Sequence, residues 1–187
     1  DWTMHWARHP KAEWALFGIA FAESSFFPIP PDVLLIAMAV AYPARAFRYA
    51  TITAVGSVIG GIAGYAIGAF VFSAIGAPIV AFYHAEGLIR AIGLKYESYA
   101  FLTVFTAAFT PIPYKVITIA AGFFKISFFP FVLASVIGRS LRFFLVAGLI
   151  YRYGARITAF IEKYFNILSF VFVVLLVGGY LLITYAL

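Results

Sequence analysis

Two stretches decide how this chain is read: Phe27-Pro28-Ile29-Pro30-Pro31-Asp32-Val33-Leu34-Leu35-Ile36-Ala37-Met38-Ala39 and Thr110-Pro111-Ile112-Pro113-Tyr114-Lys115-Val116-Ile117-Thr118-Ile119-Ala120-Ala121-Gly122. Laid over one another with a shift of 83 residues, they are identical at Pro28, Ile29, Pro30, Val33, Ile36 and Ala37 and their mates. Each is a proline break between two apolar runs, 14–27 and 33–42 in the first case, 98–109 and 116–124 in the second. A helix needs about 20 apolar residues to cross a hydrocarbon core of about 30 Å, so none of the four runs crosses alone. Two short helices joined at Pro28, Pro30 and Pro31, and two joined at Pro111 and Pro113, read as re-entrant hairpins. Their non-helical backbone has to be covered by protein or to face water.

Composition agrees with a membrane. Of 187 residues, 65% are hydrophobic and 11% charged, and the mean hydropathy is +1.03. Soluble chains are roughly half apolar and about a quarter charged, and a soluble domain of this length has too little interior for so much apolar side chain. A soluble enzyme, a nucleic-acid module and a disordered tail are excluded. The net charge of +6 comes mostly from Lys and Arg at the ends of apolar runs, where they meet phosphate headgroups. There is no cysteine, hence no disulfide framework and no thiol chemistry. His5 and His9 have helical spacing but no third ligand beside them, so no metal and no cofactor is expected.

The repeat extends beyond the breaks. Residues 49–72 and 128–151 are long enough to span, and Ser57-Val58-Ile59-Gly60 matches Ser135-Val136-Ile137-Gly138. The first span carries Gly56, Gly60, Gly64 and Gly68, one every fourth residue, a bare helix face that lets another helix approach closely. Such a stripe serves interfaces within and between chains equally well, so a homo-oligomer stays open. One hairpin plus one span is an odd number of crossings, so the second copy enters from the opposite side. The expected architecture is all-α: an inverted repeat of re-entrant hairpin plus transmembrane helix, with an additional C-terminal span at 165–187. As one membrane domain it divides into an interfacial segment 1–13, repeat one at 14–76 (hairpin 14–42), an interfacial connector 77–97, repeat two at 98–154 (hairpin 98–124), and the last span. With the N-terminus inside, Arg8, Lys11, Arg45, Arg48, Arg152, Arg156 and Lys163 are cytoplasmic against Arg90, Lys95 and Lys125 outside, as the positive-inside rule requires.

Five ionisable groups interrupt the apolar stretches: Glu23, Asp32, Lys115, Arg139 and Arg142. A charge at a helix centre costs about 2.5–3.5 kcal/mol on insertion scales, so these groups must pair, face water or bind something. Asp32 follows Pro31 and is read either as a helix N-cap or as a proton or cation site. Lys115 opens a half-helix, where the helix dipole disfavours a cation. A bound anion, or Asp32 or Glu23, would remove that conflict. Arg139 and Arg142 either pair with Glu23 and Asp32 or hold a phosphate, for which the guanidinium fork is suited. Glu23, desolvated, could carry protons, or it makes structural hydrogen bonds to the hairpin. In the repeat, Asp32 is replaced by Lys115, and Gly61 and Gly64 by Arg139 and Arg142. Two breaks of opposite charge are therefore expected to face each other at mid-depth, with two arginines nearby.

Glu23 followed by Pro28-Ile-Pro-Pro-Asp32, the run Gly60-Gly-Ile-Ala-Gly64-Tyr65-Ala-Ile-Gly68, the second break ending in Lys115, and Gly138-Arg139 together resemble the DedA family, also called the VTT or SNARE-associated membrane-protein superfamily. The resemblance covers roughly residues 12–155. It implies paired re-entrant hairpins in a bacterial inner membrane. It also implies translocation of a phosphate-bearing lipid, undecaprenyl phosphate or a phospholipid such as phosphatidylethanolamine, coupled to the proton gradient. Glu23 and Asp32 match the family's acidic pair, and Lys115 falls near the second of two arginines typical of the second hairpin. The first of those arginines has no counterpart here, where Phe109 and Thr110 stand, which marks a divergent subfamily. The expected function is therefore a lipid transporter, not an enzyme. Lys115, Arg139 and Arg142 would hold substrate, Glu23 and Asp32 would couple protons, and the partners would be membrane lipid and protons rather than nucleic acid. The rivals are a small-solute or ion transporter on the same scaffold and a structural membrane protein.

Overall fold

The structure, a computed structural model, describes residues 11–26, 30–82, 84, 86–110, 113–154 and the single positions 164, 167, 171 and 174. Pro28 and Pro111, most of the N-terminal segment and most of the predicted last span lie outside the described residues. Among the described residues the regular structure is helical throughout. Helix α1 (Ala12–Ser25) and α2 (Pro31–Ala41) flank the first break. A short turn, Pro43–Arg45, leads to the long α3 (Ala46–Val71), which continues through one π-helical turn, Phe72–Gly76. Two connector helices follow, α4 (Ala77–Phe82) and α5 (Glu86–Ser98). Helices α6 (Ala100–Phe109) and α7 (Tyr114–Phe123) flank the second break, and the long α8 (Phe128–Tyr153) closes the described part. Helix–break–helix followed by a long helix thus occurs twice.

Local chemistry explains the boundaries. Pro31 is the first residue of α2, where its missing N–H and fixed φ do no harm. Helix α2 stops before Pro43, whose ring disfavours helical backbone in the preceding residue. The end of α7 is a Schellman turn: Lys125 N–H donates to Gly122 O (3.0 Å) and Ile126 N–H to Ala121 O (2.9 Å). At 1.5 Å per residue α1 is about 21 Å long and α2, α6 and α7 about 15–17 Å, short of a bilayer core, whereas α3 and α8 each reach about 39 Å. Among the described residues, the stretches Pro43–Gly76 and Phe128–Tyr153 are the two that are long and apolar enough to cross a membrane.

The long helices are the frame. Glycines on α3 take two neighbours at once. A Cβ on Gly56 would lie 2.7 Å from Phe17 O, and one on Gly60 would collide with Phe21 O, both in α1. On the adjoining face a Cβ on Gly61, Gly64 or Gly68 would run into Tyr114, Thr118 or Ile119 of α7. The stripe is thus occupied within this chain by α1, before the first break, and α7, after the second. Helix α6 packs on α8 in the same way, where a Cβ on Gly138 would lie 2.7 Å from the Ala108 methyl. Two apolar cores result. One joins Leu16, Leu35, Met38, Tyr49 and Ala50 to Phe143, Val146 and Ile150. The other joins Val104, Ala108, Tyr114 and Ala121 to Phe131 and Ala134. They sit at different heights along α8, and Arg139 and Arg142 lie in sequence between them. Outside, Trp14, Phe70, Phe82 and Phe129 are each more than 70% exposed. An outward apolar shell over a small-residue interior is the inverse of a soluble fold and suits a bilayer.

Candidate functional site

The polar residues of both breaks converge midway along α8. Arg139 and Arg142 are three residues apart and share one helix face; both are buried. Arg139 donates from Nη2 to Glu23 Oε2 (2.5 Å) and Ser24 Oγ (2.8 Å), and from Nε to Ser57 Oγ (2.5 Å). Ser24 Oγ and Ser57 Oγ are themselves 2.7 Å apart. The guanidinium lies over the Tyr114 ring at 4.4 Å, with the Phe143 ring at 5.3 Å. Arg142 grips Asp32 with two donors, Nη2 to Oδ2 at 3.0 Å and Nε to Oδ1 at 3.3 Å. Its third nitrogen, Nη1, donates to Phe109 O at 3.1 Å. That carbonyl ends α6, where a helix leaves its last C=O groups without internal partners. One guanidinium therefore ties the first break to the second.

A further link runs between the hairpins. Thr118 Oγ1, on α7, donates to Lys115 O (2.9 Å) and lies 3.4 Å from Ser24 O, near the end of α1. Ser25 Oγ bonds Phe21 O and Gly60 O, fastening that end of α1 to α3. Lys115 is the second residue of α7, its side chain half-buried. The ion pairs are charge-balanced, with two carboxylates on two guanidiniums. The carboxylates keep some exposure, 15% for Glu23 and 21% for Asp32, against 5% and 8% for their arginines. The anionic partners are thus the accessible members of each pair.

Two alternatives narrow here. Asp32 is not the N-cap of α2: Pro30 holds that position, Pro31 is the first helical residue, and Asp32 stands in the first turn. There its charge is favoured by the helix N-terminus, and its oxygens are left for Arg142. Of the two readings of the arginines, pairing with the carboxylates is the one seen: Asp32 sits on Arg142 and Glu23 on Arg139 of α8. The repeat shows why. Gly61 and Gly64 of α3 let α7 close on them, whereas their counterparts Arg139 and Arg142 fill the space between α8 and the first hairpin. The same interface is closed by glycine in one copy and held by ion pairs in the other.

Sequence reasoning did not single out Ser24, Thr118, Tyr114 or the Phe109 carbonyl for this site, and it noted Ser57 only as part of the repeat. Ser24 had a signal, a hydroxyl next to Glu23 in an apolar run. Ser57 had a weaker one: its repeat mate Ser135 bonds its own helix at Phe131 O and is not given a place in the network. Tyr114 had none. Its hydroxyl is fully buried, and none of the described residues meets it in hydrogen-bond geometry.

The comparisons with known proteins give the family. The model of the VTT domain matches residues 29–152, from the first break to the end of α8. A protein of Haemophilus influenzae described as uncharacterized is 40% identical over 183 residues, covering 98% of this chain and 95% of its own length. A homologue from Histophilus somni is 36% identical with the same coverage. No solved structure matches the chain. Both the length of the VTT match and the full-length likeness to these relatives place it: the chain belongs to the VTT-domain (DedA) family of membrane proteins.

Proposed function

We propose that this protein is a proton-coupled transporter that carries a phosphate-bearing lipid, a phospholipid or a polyprenyl phosphate such as undecaprenyl phosphate, across a bacterial inner membrane. It does so without chemistry on the substrate. The observation that carries the reading is the pair of buried guanidiniums in α8, each holding a carboxylate that is more exposed than itself. A lipid phosphate offers the same bidentate oxygens as a carboxylate. It can replace Glu23 or Asp32 on Arg139 or Arg142, with Lys115 as a third cation at the mouth of the second break. A displaced carboxylate in a low-dielectric site is most stable protonated. Substrate entry and proton uptake are then two sides of one exchange, and the lipid tails stay in the bilayer.

In this reading α1–α2 and α6–α7 are re-entrant hairpins of an inverted repeat, and their rocking about the arginine layer alternates access. The short arms, the two breaks joined through Arg142, and a Lys/Arg asymmetry that favours a cytoplasmic N-terminus support it.

The test is headgroup translocation in proteoliposomes with a pH gradient. Each lost charged hydrogen bond is worth about 1.5–3 kcal/mol, so Arg139→Ala and Lys115→Ala should each slow transport about tenfold or more. Wild-type rates in both variants would remove the phosphate site. A gradient dependence that survives Glu23→Gln with Asp32→Asn would remove the proton role. Competition by soluble anions with no effect of headgroup would point instead to a small-solute carrier.

A second reading is favoured by how completely Arg139 is satisfied: Glu23, Ser24 and Ser57 all accept from it. The pairs would then only lock the hairpins to α8. Under that reading the swap Asp32→Arg with Arg142→Asp keeps full transport; under ours it restores folding but not transport.

A further inference from the structure

A second candidate site lies away from the arginine layer, where the end of α7, the π-helical turn of α3 and the connector α5 meet. There a cleft of about 540 Å³ has an aromatic floor and charged walls. Phe72 and Phe123 pack edge to face at 5.1 Å, and Leu94 of α5 faces them across the cleft. The walls carry Arg90, Lys125 and Glu97. The carboxylate is already engaged, since Glu97 Oε2 accepts the Ser127 N–H at 2.8 Å, just before α8. The charge left over is positive.

Lys125 is held there against local preference. It occupies the left-handed position of the Schellman turn that ends α7, with φ +53°. Glycine is the usual residue at this position because a Cβ is penalised there. A lysine in its place projects an ammonium into the cleft, 5.2 Å from the Phe72 ring centroid. Phe72 in turn starts a π-helical turn, an irregularity of long helices that recurs at functional sites. Two departures from the easiest backbone thus present one cation and one aromatic ring to the same space.

We infer that this cleft is a binding site for an anionic phospholipid. Lys125 and Arg90 take the phosphodiester, and the glycerol and upper acyl chain lie on Phe72, Phe123 and Leu94. A zwitterionic headgroup fits less well, because its cation meets two cations against a single carboxylate. The inference does not rest on transport, and the site shares no residue with the arginine layer.

The test is native mass spectrometry of the full chain released from mixed micelles of phosphatidylglycerol and phosphatidylcholine, with melting temperature read in parallel. Wild type should retain phosphatidylglycerol over phosphatidylcholine. One charge-assisted contact corresponds to about a tenfold loss, so Lys125→Gly and Arg90→Gln should each weaken retention by about that factor. Lys125→Gly should at the same time melt at or above the wild-type temperature without lipid, because the backbone strain is gone. If Lys125→Gly melts higher and still retains phosphatidylglycerol as wild type does, the lysine is only a tolerated cap and the site does not exist. Arg45→Gln, an exposed cation that does not line the cleft, should change nothing. An equal loss there would mean general surface charge and overturn the inference.

Discussion

Substituting Gly64 with alanine tests the packing on which the arginine layer stands. A Cβ at Gly64 would collide with Thr118 Oγ1 and lie 3.2 Å from both Ser24 O and Thr118 Cβ. Thr118 is fully buried, and turning its hydroxyl aside gives up the bond to Lys115 O and the contact with Ser24 O. Overpacking of this kind costs about 1–3 kcal/mol, and the lost hydroxyl bonding adds about 1 kcal/mol. Replacing glycine by alanine inside a helix returns about 0.5–1 kcal/mol. The net expectation is a loss of about 1–3 kcal/mol. Gly18 supplies the contrast, because nothing lies within 4 Å of a Cβ there. Gly18→Ala should therefore stabilise by about 0.5–1 kcal/mol. Adding Thr118→Ala removes the colliding atom, so in that background Gly64→Ala should cost about 1 kcal/mol less than it does alone. Denaturant or thermal unfolding in mild detergent measures all four proteins. Should Gly64→Ala stabilise as Gly18→Ala does, or should the two effects simply add, α3 and α7 do not meet as described. The link from the second hairpin to the floor of the site would then be gone.

Further outcomes follow from other parts of the network. Tyr114→Phe removes a buried hydroxyl that no described residue meets in hydrogen-bond geometry, so stability should be unchanged or rise by up to about 1 kcal/mol. Tyr114→Leu should melt lower, because it also removes the ring beneath Arg139. Arg139→Lys keeps the charge but cannot reach Glu23, Ser24 and Ser57 together, and should cost about 1–3 kcal/mol in the same melts. Asp32→Asn, which leaves Arg142 buried without its counterion, should destabilise by about 3 kcal/mol. Glu13→Gln breaks the exposed pair with Arg48 and should stay within about 1 kcal/mol of wild type. In the connector helix, burial pushes the Tyr96 phenol up to about 12 from its usual 10. A raised pKa means that the folded state favours the neutral phenol. That contribution is intact below pH 10 and is lost as pH rises from 10 towards 12. Tyr96→Phe should accordingly lose less stability than wild type across that window, as followed by alkaline unfolding.

Much of the fold was legible because it is written in short-range terms. Apolar run lengths separate the runs that can span, α3 and α8 among the described residues, from the four arms that cannot. The prolines mark the breaks directly, by removing donors and fixing φ. The glycine stripe announced close packing, since the absence of a side chain is itself a steric statement. The stripe did not say which helices would come, and two did: α1 at Gly56 and Gly60, and α7 at Gly61, Gly64 and Gly68. The charged residues were equally conspicuous, because a charge in an apolar run must be resolved somehow.

Which charge answers which was legible only as an alternative: the sequence allowed Arg139 and Arg142 either to pair with Glu23 and Asp32 or to hold a phosphate. The repeat put Asp32 and Lys115 at equivalent positions and suggested that they face one another, whereas the structure seats Asp32 on Arg142 and Glu23 on Arg139. These partners are 110 and 116 residues apart. Their meeting depends on how α8 is rotated about its own axis, and a helix turns about 100° with each residue. Hydropathy is blind to that angle when a helix is apolar nearly all round. The sequence alone determined that this chain lives in a membrane, where it breaks, and that its few buried charges need partners. The tertiary structure decided the pairing, because only packed helices fix the rotation that turns two arginines toward two carboxylates and the open end of a broken helix.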